Sequence, residues 1–399
     1  MTSSARFTRI DGGVTAARGF VAGSAACGIK PSGKPDLALV ASEVSATVAG
    51  VFTTNRVKAA PVLLCQRRVS NGQARAVVAN SGNANACTGE AGMQAAERMA
   101  AAAARRLGIA PAEALALSTG VIGAPLPVER IEAALPALAL SPAGGDDVAR
   151  AIMTTDTRPK TAAVEFEVDG RTVRVGGMAK GAGMIHPLMA TMLSVITTDA
   201  AVPSYDLQRH LSEAAALSFN RIDVDGDMST NDTVLLLANG ASGVAVPDEL
   251  FREALTAVCV SLARQIAADG EGATKLLEVT VTGAVSEGDA ELAARAVTRS
   301  SLVKAAMYGN DPNWGRILAA AGASGAGLDP AKVRLTLQGV RLYADGLPLP
   351  FDKAAASDTL RGATEVFVRL DLGVGDARAT AWGCDLSPEY VHINADYTT

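Results

Sequence analysis

Neither sign of charge is in excess. Lys and Arg total 36 against 41 Asp and Glu, a net of −5, and the two signs are mixed along the chain. There is therefore no basic footprint for nucleic acid or for an anionic membrane. Cysteine has no pattern. Cys27, Cys65, Cys87, Cys259 and Cys384 are scattered without a C-x-x-C pair. An odd number cannot all pair internally, so the sequence predicts reduced thiols in a cytoplasmic protein. Long apolar runs are missing too. Residues 181–198 come nearest, but glycines, His186, Pro187 and several Thr and Ser residues interrupt them, and no membrane span is expected. The opening stretch "MTSSARFTRIDGG" lacks the apolar region of a signal peptide. Histidine is rare. His186, His210 and His392 form no H-x-x-x-H or H-E-x-x-H pattern, so no metal site is predicted. Aromatic residues make up only 4%.

What is present is aliphatic. Hydrophobic residues make up 49% of the chain, many of them Ala and Val, and 399 residues suffice for one large domain or two to three ordinary ones. No Pro/Ser-rich linker or charge block divides them. Residues 1–80 read as short strands and turns. Glu90 to Leu107 reads as a helix closed by Gly108, with shorter helices in "PVERIEAALPAL" and "GDDVARAIMTTD". "AAVEFEVDGRTVRVGG" is a hairpin with Asp169-Gly170 as its turn. A strand is expected over Met192–Thr198, and an amphipathic helix over Tyr205–Phe219 with Ser204 as cap and His210 on the surface. "DTVLLLAN" reads as a buried strand. Asp248–Ala268 is a long helix with Leu250, Leu255, Val258, Leu262 and Ile266 at helical spacing. "LLEVTVTG" is a strand, Ala290–Met307 a helix, and the last 70 residues are mostly β. Hairpins and helices in mixed order predict an α+β layered fold rather than a doubly wound parallel sheet.

Two stretches imitate ligand loops. "GIKPSGKP", Gly28 to Pro35, has the spacing of a phosphate loop, but Pro35 replaces the hydroxyl that would bind Mg²⁺. It reads as an ordinary loop. "DVDGDMSTND", Asp223 to Asp232, resembles a Ca²⁺ loop, but its glycine is one position early and Val234 stands where a bidentate Glu belongs. A carboxylate-rich turn is the better reading, some of whose polar groups order a site. "NSGNANACTGEAG", Asn80 to Gly92, is a turn leading into a helix, with a row of pocket-rim amides as the alternative. "STGVIG", Ser118 to Gly123, offers a hydroxyl and a backbone N–H to a developing oxyanion.

The most informative stretch is "KGAGMIHPLMATMLSVITTDA", residues 180–200. A Gly-Ala-Gly loop and a rigid His186-Pro187 pair run into an apolar strand at Ala190-Thr191. Thr191 is either a plain strand residue or a nucleophile. A threonine hydroxyl needs an adjacent base to act. Cutting the chain just before the threonine supplies one, because a free α-amino group titrates near pH 8. The hydroxyl can cut the chain itself, by attacking the Ala190 carbonyl.

This stretch resembles the processing segment of the ornithine acetyltransferase family, the bifunctional glutamate N-acetyltransferases of arginine biosynthesis. So do "GVFTTNRVKAAPV", "NSGNANACTGEAG", "STGVIG", "IMTTDTRPK", "SFNRIDVDGDMSTNDT", "DGEGATK", "YGNDPNWGRI" and "YVHINADYTT", which carry the resemblance over residues 5–399. It implies an α/β layered sandwich with the active-site logic of N-terminal-nucleophile hydrolases and a topology of its own. It further implies self-cleavage at Ala190-Thr191 into an α chain, 1–190, and a β chain, 191–399, intertwined in one catalytic unit and assembled as an α2β2 heterotetramer. Thr191 would take acetyl from N2-acetyl-L-ornithine and pass it to L-glutamate. Acetyl-CoA is a possible second donor, and no bound cofactor or metal is implied. Thr119 and Gly120 match the oxyanion-hole pair. Lys180, Thr191, Glu271, Asn394 and Thr399 match substrate-binding positions, as does one threonine of Thr154, Thr155 and Thr157, with Thr157 preferred. The competing expectation is a hydrolase, an aminopeptidase or amidase that gives the acyl group to water.

Overall fold

In the computed structural model, which describes residues 6–186 and 192–396, Asp169 and Gly170 take positive φ (51° and 72°) and join two antiparallel strands. Such a turn matches the twist of the strands it joins. The strands before residue 187 are β1 (Thr8–Ile10), β2 (Phe20–Ala25), β3 (Leu37–Phe52), β4 (Gln73–Asn83), β5 (Ala114–Val121), β6 (Lys160–Val168) and β7 (Arg171–Lys180). After residue 191 come β8 (Leu193–Thr198), β9 (Ile222–Asp223), β10 (Thr233–Ala238), β11 (Leu276–Ala284) and β12 (Arg334–Leu337). They are followed by β13 (Val340–Ala344), β14 (Leu347–Pro348), β15 (Glu365–Asp371) and β16 (Ala377–Cys384). A nine-stranded sheet runs β1-β6-β7-β8-β10-β3-β4-β5, with β2 beside β3. A seven-stranded sheet runs β14-β13-β12-β15-β11-β16-β9. Parallel pairs (β8 with β10, β4 with β5) sit among antiparallel ones. The architecture is therefore mixed α+β, as the sequence predicts.

The helices are α1 (Ala60–Val69), α2 (Gly89–Leu107), α3 (Val128–Ala134), α4 (Gly145–Ala151), α5 (Ser204–Ala216) and α6 (Asp248–Ala268). They continue with α7 (Glu287–Arg299), α8 (Ser301–Tyr308), α9 (Trp314–Gly322), α10 (Lys353–Arg361) and α11 (Pro388–Asp396). Strand alternation decides what each face buries. On β11, Leu277, Val279 and Val281 point into one core with Ala290, Ala293 and Val297 of α7. Leu276 and, on β16, Trp382 and Cys384 point the other way, into the core that holds α6. Helix α6 packs on β6 and β7 of the large sheet and on β9, β11 and β16 of the small one. It is the layer the two sheets share. Leu255, Val258, Leu262 and Ile266 are all buried there.

Some local expectations change. The proline-containing segment 60–69 is helix α1, where residues 1–80 suggest only strands and turns; Pro61 sits in its first turn, where a missing N–H costs nothing. The single helix expected over Ala290–Met307 is two, α7 and α8, broken at Ser300, whose hydroxyl caps α8 by accepting from Val303 N–H. Helices α10 and α11 lie within the C-terminal stretch read as mostly β. Helix α5 begins without a side-chain cap from Ser204. His210 is buried, edge-on to Phe251, with Nε2 3.0 Å from Asp248.

The large sheet is held closely to the N-terminal loop. At Gly176 of β7 an added methyl would run into the Gly13 carbonyl oxygen, which is backbone and cannot swing away. Gly176→Ala is expected to destabilise the fold by about 1–3 kcal/mol, the usual cost of overpacking, read from the midpoint of urea denaturation.

Candidate active site

Strand ends build the site. The C-terminal ends of β5 and β7 and the turn before β10 converge on a cavity of about 100 Å³. Thr119, Gly120, Thr154, Thr155, Lys180, Gly183, Ser229, Thr230, Asn231, Glu271 and Asn394 are among the residues lining it. A far larger groove, about 1160 Å³, runs along α6, but three of its five arginines are already paired: Arg6 with Glu249 and Glu253, Arg158 with Asp269, Arg264 with Glu365. The smaller cavity is the one where hydroxyls, an ammonium and a carboxylate meet.

Thr119 and Gly120 reach it because β5 runs parallel to β4, and Asn231 fixes the end of that pair. Its amide nitrogen donates to Ala84 O (2.7 Å) and Ser118 O (2.8 Å). Gly120 has φ 133°, and a methyl there would strike the Gly82-Asn83 backbone. Only glycine allows so close an approach. The Lys180 ammonium is buried at the end of β7 and donates to the Thr119 hydroxyl at 3.4 Å.

A buried ionic network holds Lys180 in place. Asp156 lies 3.9 Å from the Lys180 ammonium and accepts from Lys160 at 2.6 Å, Gly181 N–H at 2.7 Å and Thr154 N–H at 3.0 Å. Lys160 also donates to Asp269 at 2.5 Å. Burial pushes the Asp156 carboxyl up, but Lys180, Lys160 and the hydrogen bonds outweigh it and hold it at about 2. Burial lowers Lys180; Asp156, Glu271 and Asp232 pull it back up, while Lys160 adds to the lowering.

Asp269 precedes the Glu271 turn, and Glu271 N–H donates to Ala182 O at 2.9 Å. The Glu271 carboxylate lies against Gly183, where any side chain would displace it, and accepts from the Asn394 amide at 2.8 Å. Lys180, Thr119, Gly120, Glu271 and Asn394, far apart in sequence, thus share one cavity. Thr157 does not line it: its N–H and hydroxyl both donate to Asp269. Thr154 and Thr155 line it instead. Ala190, Thr191 and Thr399 lie outside the described residues.

In the turn from Asp223 to Asp232 the carboxylates are engaged by backbone and side chains. Asp225 accepts from Met184 N–H (2.6 Å) and Ile185 N–H (2.9 Å), Asp223 from the His186 ring (2.8 Å), and Asp232 from Met192 N–H (2.9 Å). Its carboxylates hold the chain on both sides of residues 187–191. The phosphate-loop mimic is likewise closed: Asp36 accepts from the N–H groups of Cys27, Ile29 and Lys30. The Asn80–Gly92 stretch is a turn and helix entry whose Asn80, Asn83 and Asn85 amides bond inward to backbone carbonyls. Among the described residues no group of three or more His, Cys, Asp or Glu is arranged to hold a metal, and no helix is long and apolar enough to cross a membrane.

Asp156, Lys160 and Asp269 escape a reading by motif, because two of them meet across more than 100 residues. The nearest signal is the i, i+4 pair Asp156–Lys160 in "DTRPK". Asp156→Asn leaves two buried ammoniums short of a counter-charge. It is expected to cost about 3–5 kcal/mol of stability by chemical denaturation, the range for breaking one side of a buried pair.

The ArgJ family model matches residues 21–399. The arginine biosynthesis bifunctional protein ArgJ of Symbiobacterium thermophilum is 56% identical over 398 residues, covering 97% of this chain and 99% of that protein. Its namesake from Thermus thermophilus is 53% identical over 383 residues, covering 96% and 98%. Among solved structures, arginine biosynthesis bifunctional protein ArgJ from Bacillus halodurans superposes with a TM-score of 0.51 at 42% identity, covering 52% of this chain and 100% of that one. The chain belongs to the ArgJ family and is an acyltransferase of arginine biosynthesis.

Proposed function

We propose that this chain cleaves itself before Thr191 and then moves an acetyl group from N2-acetyl-L-ornithine to L-glutamate through an acetyl-Thr191 ester. The observation that carries this reading is the cavity that gathers Thr119, Gly120, Lys180, Glu271 and Asn394, with Lys180 paired in the sheet to Leu193, two residues after Thr191. In self-cleavage the Thr191 hydroxyl attacks the Ala190 carbonyl and the Ala190–Thr191 C–N bond breaks. Water then hydrolyses the ester, leaving a free α-amine on Thr191. That amine takes the hydroxyl proton as Thr191 attacks the acetyl carbonyl and returns it to the departing ornithine nitrogen. The glutamate amine then attacks the ester, and the hydroxyl is restored. No oxidant, metal or other cofactor enters, and acetyl-CoA is chemically competent as an alternative donor.

The other roles follow from charge. The Thr119 hydroxyl and Gly120 N–H face the oxyanion, an arrangement that works best in a site closed to water. Lys180, buried at the end of β7, takes the substrate α-carboxylate with Asn394 and, at the chain end, Thr399. Glu271 takes the ammonium of acetylornithine. Thr154 or Thr155 contacts substrate in place of Thr157, whose hydroxyl is committed to Asp269. The two chains assemble as α2β2 in the cytoplasm.

Intact-mass measurement of the wild type should give fragments 1–190 and 191–399, and Thr191→Ala should stay whole and inactive. Ornithine release from acetylornithine should require glutamate. Release in water alone would mark a hydrolase, and an uncut wild type would sink the proposal.

Glu271→Gln keeps the shape and loses the charge. It should cut kcat/KM for acetylornithine by roughly 10–100-fold, the equivalent of one charge-assisted hydrogen bond of about 1.5–3 kcal/mol. Transfer from the acetyl-enzyme to glutamate, which has no side-chain cation, should change little. Equal loss in both half-reactions would make Glu271 structural.

A further inference from the structure

Helix α11 brings Asn394 to the cavity, yet none of its side chains is buried. Burial of an apolar face is what usually holds a short helix in place, and here it is missing. Polar contacts take over. The Tyr390 hydroxyl bonds to Asp225. The helix and the residues leading into it are otherwise tied to the turn that carries Glu271.

Asp385 makes the first of those ties. It follows β16, whose last residue, Cys384, pairs with Leu276 at the start of β11. Asp385 is buried, and both of its carboxylate oxygens are used. Oδ1 accepts from Thr274 N–H at 2.8 Å and from Lys275 N–H at 2.9 Å, and Oδ2 accepts from the Thr274 hydroxyl. Its own N–H donates to Lys275 O at 3.2 Å. Two residues on, the Ser387 hydroxyl donates to Gly272 O at 2.6 Å, and the Asn394 amide closes the set on the Glu271 carboxylate at 2.8 Å. Turn and helix meet so closely that only glycine fits at 272. Its φ is 69°, and a methyl there would come within 2.6 Å of Tyr390 N and 2.9 Å of the Ser387 hydroxyl. The Lys275 ammonium runs on to Met307 O at 3.0 Å and to Asn310, which fastens the same turn to the end of α8.

We infer that Asp385 is a positioning residue for substrate recognition. By clamping residues 274–275 to the root of α11, it fixes the Glu271 carboxylate and the Asn394 amide relative to each other, and with them the ammonium and the α-carboxylate that they take. This inference rests on the donor-side roles proposed above for Glu271 and Asn394. Asp385 does not line the cavity, so it acts through the turn. Asp269, bound to Lys160 and Thr157, holds that turn where it begins, and Asp385 holds it where it ends. A charged acceptor that takes three donors from two consecutive residues is a stiff anchor, because each such bond is stronger than its neutral counterpart.

The test is the kinetics of ornithine release from acetylornithine by the full chain, with glutamate saturating. Asp385→Ala removes the clamp. It should raise KM for acetylornithine by roughly 10–100-fold, up to the order that a displacement of about 1 Å costs, while kcat changes by less than about threefold. A merely structural aspartate would lower kcat per mole of protein, as part of the sample unfolds, and leave KM in place. Asp385→Asn keeps an acceptor for both N–H groups, and its amide can donate to the Thr274 hydroxyl once that hydroxyl turns. It should hold KM within about threefold of the wild type. In a Glu271→Gln background Asp385→Ala should add little, because both changes act on one contact, and the combined loss should fall well short of the product of the single losses. Ser387→Ala cuts the tie to Gly272 and leaves Asp385 in place. It is the second variant should Asp385→Ala fold poorly, with an expected rise in KM of roughly 3–10-fold. An unchanged KM in folded Asp385→Ala overturns the inference. So do losses that multiply, an Asn variant no better than the Ala variant, and an unfolded Asp385→Ala beside a Ser387→Ala with wild-type KM. Glu271→Gln with wild-type donor kinetics would fail the recognition reading itself, and the clamp with it, a result visible before Asp385 is changed.

Discussion

One buried carboxylate organises the site. Asp156 ties together the loop that carries Thr154, the lysine that opens β6, the backbone where β7 ends and, through Lys160 and Asp269, the turn that carries Glu271. Burying two lysines and two aspartates is expensive, and apolar replacements of such clusters are often at least as stable. What the network provides is placement. It fixes the Lys180 ammonium against the Thr119 hydroxyl and sets the Glu271 carboxylate against Gly183. A cavity of this size tolerates little error in either position.

The turn from Asp223 to Asp232 does a second job with the same chemistry. Its carboxylates hold residues 184–186 on one side and 192 on the other. The upstream N–H groups belong to no strand, and a carboxylate supplies what a ladder otherwise would. Met184, with φ 56°, takes a left-handed conformation that such anchoring keeps in place. Both approaches to residues 187–191 are therefore fixed from one short segment, before a rigid strand begins.

Regular elements were legible in the sequence where one local rule dominates. Helix α6 has the predicted ends, and the β6–β7 hairpin has the predicted turn, because spacing or a two-residue turn decides each. Reading fails where a single residue redirects the chain. Ser300 caps one helix directly behind another, and the apolar period runs on through it. The residues that share the cavity were legible through whole motifs and not through spacing. Within "TTDT" only the fold reveals that Thr157 turns to Asp269, more than a hundred residues away, while Thr154 and Thr155 face the cavity. Asp232 could be seen as part of a carboxylate-rich turn, but its hold on Met192 N–H is visible only in the fold.

Topology decides what a chain break before β8 would do. In the large sheet β8 and β10 lie between β7 on one side and β3 on the other, so two strands from after residue 191 fill the middle of a sheet otherwise built from strands before it. Both contacts are antiparallel ladders, Val175 to Lys180 against Thr198 to Leu193 and Thr47 to Phe52 against Ala238 to Thr233. Helix α6, also from after residue 191, covers β6 and β7 from the shared layer. None of these hydrogen bonds or buried faces runs through the peptide bond before residue 191. A cut there would leave two chains that cannot separate without opening the sheet at both seams and the core under α6. It would also put a chain terminus two residues before a central strand. The fold can lose that one bond because its stability is stored in contacts between the two parts.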